Sequence, residues 1–360
     1  VGLIYALTGT LNMAHLAIRL DQLESPAMAT VAGSLLLVAF GIKAAVFPFF
    51  FWLPASYHTP PAPVSALFAG LLTKVGVYAL IRVVMLMFDQ DWLVLSQVIL
   101  AIAAVTMVTG VLGAVAQNEM RRVLSFHIVS QIGYMIMGLG IAISVLGRLS
   151  ALEAPEMLPE TLELSRSVAA IALAGSIFYI FHHIIVKTNL FLVSNAVNYD
   201  RGTLELKHLG GMMVTHPLLA GLFLISALSL AGIPILSGFW AKLTLVRGGL
   251  EARTYGIVGI SLLVSILTLL SMAKIWSEVF WKAAPEEDIR RHDRYPDARR
   301  RRILMMAPMI GLALVTLTIG FGAGPAYTLA SEAARQLMDS RAYIERVLPA
   351  DVLAQEENRP

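Results

Sequence analysis

The sequence predicts an all-α integral membrane protein of about nine transmembrane helices, two of them broken. Three observations carry that prediction. Of 360 residues, 57% are hydrophobic and only 14% charged, against about 45–50% and about 25% in soluble domains, and the mean hydropathy is +0.73. The apolar residues are gathered into long runs, each near the roughly 20 residues that a bilayer core demands of a helix. No run shows the alternation of a membrane barrel strand. The same composition excludes disordered, collagenous, disulfide-rich and nucleic-acid-binding classes. With 0 Cys there is no thiolate site or disulfide, and with no nucleotide-binding glycine motif either, no cofactor or metal is expected.

The nine spans are expected at about 1 to 18, 28 to 52, 62 to 88, 92 to 116, 122 to 147, 168 to 197, 214 to 247, 254 to 281 and 303 to 329. The first begins at Val1, inside an apolar run with no signal peptide visible, and reads as the start of an N-terminally incomplete transmembrane domain over 1–330. Residues 331–360 mix charged and apolar positions and are expected to form an extramembrane, partly helical tail.

Orientation follows from Lys and Arg in the short loops. Arg121 and Arg122 follow span four, Arg201 and Lys207 follow span six, and Lys282, Arg290, Arg291, Arg294 and Arg299 to Arg302 follow span eight. These three loops share a side, expected to be cytoplasmic in a multi-pass cell membrane protein. On the other side fall Asp21, Glu24, Asp89, Asp91, the Glu153 to Glu163 segment, the Arg247 to Arg253 turn and the tail. The arginine run reads first as a topogenic anchor, with a lipid or nucleic-acid contact as the weaker alternative.

Function is sought in charges within the spans, each of which costs about 2.5–3.5 kcal/mol at a helix centre. Lys43 lies in span two, Lys74 in span three, His182, His183 and Lys187 in span six, Lys242 in span seven, and Lys274 with Glu278 in span eight. Of the acids only Glu278 falls inside an apolar span, so the lysines outnumber their possible partners. A lysine poised between neutral amine and ammonium is what proton transfer requires. Lys274 and Glu278, four residues apart, read equally as a structural ion pair or a functional one. His183 and Lys187 share a helix face with Ser176, Tyr179 and Ser194, a stripe read as a wet interior. His127, Ser130, Gln131 and Tyr134 form a shorter stripe in span five, open between relay and structural hydrogen bonding. Pro48 beside Lys43, and Gly232 and Pro234 before Lys242, interrupt their helices. Broken helices each carrying a buried charge are a transporter layout, and ordinary proline kinks are the alternative.

The stretch GIKAAVFPFFFWLPASYHTPPAPVSALFAGLLTKVGVYALIR from Gly41, with QNEMRRVLSFHIVSQIGYMIMGLG from Gln117, FHHIIVKTNLFLVSNAV from Phe181 and LSLAGIPILSGFWAKLTLV from Leu228, resembles the proton-translocating antiporter-like family. That family is shared by Mrp-type Na+/H+ antiporters and the membrane arm of respiratory complex I, and the wording is most similar to the D subunits of the Mrp group. The resemblance implies the last nine helices of a fourteen-helix fold with two inverted five-helix repeats. It implies proton translocation through Lys43, Lys74, His183, Lys187 and Lys242; His182, His127, Lys274 and Glu278 are secondary candidates from their places in the spans. Family members also carry a Glu on the fifth helix that partners the lysine equivalent to Lys43, and no such residue is present here.

The expected function is therefore a non-enzymatic subunit of a hetero-oligomeric Na+/H+ antiporter, with the bilayer, protons, Na+ and sister subunits as partners and no nucleic acid. The alternatives are a proton-pumping subunit of an NADH:quinone oxidoreductase or membrane-bound hydrogenase, and a structural subunit with idle lysines.

Overall fold

The computed structural model describes residues 1–23, 26–88, 92–151, 159–284 and 298–357, with side chains of 26, 62, 298–302 and 357 set aside. Glu24, Asp89, Asp91, Glu153, Glu156, Arg290, Arg291 and Arg294 fall outside the described residues, as do the side chains of Arg299 to Arg302.

The first expected span is two short helices, α1 (Gly2–Thr8) and α2 (Met13–Asp21). Gly9 closes α1 in the left-handed region at φ 69°. Asn12 opens α2 by accepting from the N–H groups of Ala14 and His15, a cap that fixes a new helix start. The next helix, α3 (Pro26–Ala44), stops beside Lys43 and gives way to seven non-helical residues before α4 (Trp52–Tyr57). A third apolar stretch holds α5 (Ala62–Leu67), a π turn at Phe68–Leu72 and α6 (Thr73–Met87).

Three long helices build the centre: α7 (Trp92–Ala116), α8 (Met120–Ala151) and α9 (Pro159–Arg201). Small residues let them approach closely, since a Cβ at Gly133 of α8 would meet the Ala103 carbonyl oxygen of α7 at 2.7 Å and one at Gly138 would strike the Ala172 carbonyl of α9. After a 3₁₀ turn (Leu206–His208) and α10 (Met212–Thr215), the seventh expected span is two helices, α11 (Pro217–Ala231) and α12 (Ser237–Glu251). Then come α13 (Tyr255–Ile275), a π turn at Trp276–Trp281 and α14 (Ala298–Phe321). Among the described residues, seven helical stretches are long and apolar enough to cross a membrane, and α11 is a shorter apolar helix.

The basic loops meet at one end of the bundle. Glu119 pairs with Glu205 in an isolated bridge, and Lys282 donates to the Lys207 carbonyl at 3.0 Å. Arg121 reaches Ser194 and the His58 carbonyl, each at 3.4 Å, tying α8 to α9 and to the turn after α4. At the other end an open vestibule of about 1160 Å³ is bordered by Trp92, Glu163, Arg166, Arg247, Tyr327 and Arg335.

Residues 323–357 fold back across the bundle. The strap comprises α15 (Ala323–Met338), α16 (Ser340–Val347) and α17 (Ala350–Glu357). It packs on α9 and α6 and ends on α2. The Arg82 guanidinium lies 4.2 Å from the centre of the Tyr343 ring, and Arg19 forms a bidentate ion pair with Glu356. Glu356→Gln weakens that clamp and is expected to make the strap a faster protease target than in the parent complex, read by limited proteolysis and mass spectrometry. An unchanged cleavage rate would mean that apolar packing of α16 on α2 suffices.

Candidate functional site

Each helix break leaves backbone groups that lipid cannot satisfy, and the protein satisfies several from within. At the first, Ala45 takes φ 62°, the Phe47 N–H is bonded to Thr106 Oγ1 of α7 at 3.0 Å, and the Ile42 carbonyl accepts from the Trp52 indole at 3.0 Å. At the second, Gly232 takes φ 91° and ends α11. The Ala231 carbonyl, released by the break, accepts from Lys242 Nζ at 3.0 Å. Lys242 also donates to Ser265 Oγ of α13 at 2.9 Å and lies 4.8 Å from the centre of the Tyr134 ring, a cation–π contact. Two oxygens and one aromatic face thus hold the ammonium, with no acid among them.

From Lys242 the polar groups run on through the bundle. The Tyr134 hydroxyl lies 2.8 Å from Ser265 Oγ and donates to the Ser261 carbonyl. The Tyr134 ring stacks on Tyr179, centres 5.2 Å apart, and Tyr179 donates to Gln131 Oε1. His127 Nε2 lies 2.6 Å from Ser271 Oγ of α13. Lys187 donates to the Leu124 carbonyl at 2.9 Å. Lys74 Nζ donates to the Ala69 carbonyl, which sits in the π turn at Phe68–Leu72. That turn also seats α9: Gly70 is packed so tightly on Thr188 that no Cβ would fit. Lys74 and Lys187 thereby come within electrostatic reach of each other and of His183.

His127, His182, His183 and Lys187 are fully buried, and Lys74 and Lys242 are 3% and 7% exposed. Among the described residues the one buried carboxylate is Glu356, in the strap. Among the described residues neither ring nitrogen of His183 has a hydrogen-bond partner, nor do His127 Nδ1 and His182 Nε2. A neutral imidazole holds one donor and one acceptor, so the site carries proton-exchanging atoms that the protein itself leaves unengaged. The structure thus brings Lys74, His127, His182, His183, Lys187 and Lys242 together.

Two expectations are corrected. Lys43 does not face the bundle interior: its side chain is exposed. Gly76 brings α6 onto the backbone of Lys43 and Ala44, which turns the lysine side chain outward with the exposed Leu35, Val38 and Ile42. Lys274 and Glu278 do not pair. Lys274 donates to the Val115 and Gln117 carbonyls and to Asn118 Oδ1 at 2.8–3.2 Å, capping the end of α7, while Glu278, inside the π turn, pairs with Lys282 at 2.9 Å.

The hydroxyls Ser261, Ser265 and Ser271 of α13 and Ser229 and Ser237 around the second break escaped the sequence reading. With the buried Thr268 between them, the first three recur at spacings of four, three and three, a signal legible in the sequence.

A family model described as NADH:quinone oxidoreductase/Mrp antiporter, TM, matches residues 1–151 and 164–268. The D subunit of the Na(+)/H(+) antiporter of Alkalihalophilus pseudofirmus is 42% identical over 348 residues, 97% of this chain and 64% of the relative. Its counterpart in Bacillus subtilis is 35% identical over the same shares. The chain thus spans about 64% of the length of these curated relatives. Among solved structures, a chain in the Mrp complex from Dietzia sp. DQ12-45-1b superposes with a TM-score of 0.79 at 35% identity, over 97% of this chain and 66% of that one. A chain of respiratory complex I from Thermus thermophilus with bound NADH gives 0.71 at 19% identity, over 93% and 64%, a likeness of fold alone.

Proposed function

The chain belongs to the NADH:quinone oxidoreductase/Mrp antiporter transmembrane family, and from that premise we propose that it is a subunit of a multi-subunit Na+/H+ antiporter that carries protons along its buried amines and imidazoles. It is a multi-pass membrane protein. The observation that carries the reading is the cluster of Lys74, His183, Lys187 and Lys242, buried without a carboxylate. Such groups bear the full desolvation cost when all are charged together. Sharing protons among them lowers that cost, and one proton's arrival alters its neighbours' affinity, which is what stepwise transfer needs.

Lys74, His183 and Lys187 form the centre of the path and Lys242 one terminal station, beside the break that frees the Ala231 carbonyl. Lys43 is the other station, and its exposed ammonium is completed by a carboxylate from outside this chain's described surface. Na+ as the exchanged ion is carried over from the names of the 42% and 35% identical relatives. The basic loops are cytoplasmic by the positive-inside rule, and the tail from Ser331 then lies on the outer side as an extramembrane segment.

The test is exchange by the complete assembled complex in everted vesicles energised by respiration. Adding Na+ is expected to collapse the pH gradient. A complex that leaves the gradient untouched by any monovalent cation, or that moves protons only with quinone reduction, would overturn the antiporter reading.

A further inference from the structure

The second break is bridged by side chains. Ser229, near the end of α11, and Ser237, the first residue of α12, stand eight residues apart, with their Oγ atoms at 3.1 Å. Ser229 Oγ also accepts from the Gly238 N–H at 3.2 Å. Ser237 Oγ lies 2.8 Å from His182 Nδ1 of α9. Glycine at 238 makes this closure possible, because a Cβ there would strike the Ser229 carbonyl and come within 2.8 Å of the His182 ring. One imidazole thus joins three helices, and all three side chains are fully buried.

We propose that His182 is a positioning residue for Lys242, clasping the two halves of the broken helix through Ser237 and Ser229 so that the Ala231 carbonyl meets the Lys242 ammonium. Ala231 lies two residues beyond Ser229, and Lys242 five beyond Ser237. The clasp therefore sets the register of α11 against α12 at the points where the lysine and its acceptor are mounted. Without it the two helix ends are joined by the five residues of the break and by the Lys242–Ala231 bond that the clasp is there to align.

The clasp also has a direction. With the proton on Nε2, His182 Nδ1 accepts from Ser237, which in turn accepts from Ser229. With a proton on Nδ1, the hydrogen bonds reverse along the chain. The groups facing the ring are Lys242 from α12, close enough for its charge to act on it, Tyr179 edge-on at 5.5 Å and the adjacent His183 from α9, whereas α11 contributes only the Ser229 hydroxyl. The charge on Lys242 thus bears on the same ring whose tautomer sets the direction of the clasp.

This inference rests on Lys242 being a proton carrier, so its test reads structure and transport separately. His182→Ala, Ser237→Ala, the double variant and His182→Asn are made in the assembled complex. Asparagine places an amide where Nδ1 stood. Backbone hydrogen exchange over residues 231–238 and the pH profile of Na+/H+ exchange are measured for each. Both single variants are expected to speed amide exchange roughly tenfold, the loss of about 1.4 kcal/mol, and to displace the pH profile by about one unit. The double variant is expected to be no worse than either single, and His182→Asn to restore both readouts. Unchanged amide exchange in His182→Ala, additive effects in the double variant, or no rescue by asparagine would each overturn the clasp. If the parent complex moves no cation, the antiporter reading falls while the amide exchange still judges the clasp.

Discussion

Replacing Lys187 by arginine is expected to reduce ΔpH-driven Na+ exchange about a hundredfold, the scale of losing one positioned acid–base group, while the complex still assembles. Lys187 is fully buried, its ammonium has one protein acceptor, the Leu124 carbonyl, and Lys74 and His183 stand near. An ammonium in that company can give up its proton to a neighbour and take another. A guanidinium stays charged at any working pH and cannot hand its proton on. Lys187→Met, which keeps length and removes charge, is expected to fail equally and to insert without difficulty, separating loss of chemistry from loss of space. Full activity in Lys187→Arg would show that the position needs only positive charge and would end its assignment as a relay.

Gly238→Ala is expected to lower the melting midpoint of the purified complex by several degrees, a cost of about 1–3 kcal/mol for overpacking, and to abolish exchange. The added methyl meets backbone, the Ser229 carbonyl, which cannot swing aside as a flexible side chain would. The halves of the broken helix must then part, carrying Lys242 away from Ala231. Gly221, on α11 with open space around its Cα, is the control. Alanine there should leave both readouts unchanged, and a Gly238→Ala complex that melts and transports like the parent would refute the close fit at the break.

The readable part of this protein was its punctuation. Gly232 and Pro234 marked the second break, and the lysines in apolar runs marked the buried path, because both violate what a membrane span tolerates. Spacing alone misled where geometry changed locally. Lys274 and Glu278 looked paired at i and i+4, yet the carbonyls ending α7 compete for the lysine and the π turn at Trp276–Trp281 holds the glutamate against Lys282. Lys43 was expected inside because it is charged, but which face a helix turns inward depends on a neighbour, here Gly76 of α6, far along the chain. The carbonyls of Ala69, Leu124 and Ala231, which receive three of the ammonium groups, have no sequence signature at all.

The strap sets a clock on the life of the chain. Arg19 and Glu356 are 337 residues apart, so the guanidinium enters its place long before its carboxylate exists. At roughly 5–20 residues per second of synthesis, the wait is on the order of 20 to 70 seconds. Throughout that interval α1 and α2 lean on α3 and α6 without their ionic clamp. Docking of α17 then closes the flank they share. The ion pair is thus the record that α17 has been made and has found α2, and until then the Arg19 guanidinium has the Thr8 carbonyl, 2.7 Å from Nη1, but not its carboxylate.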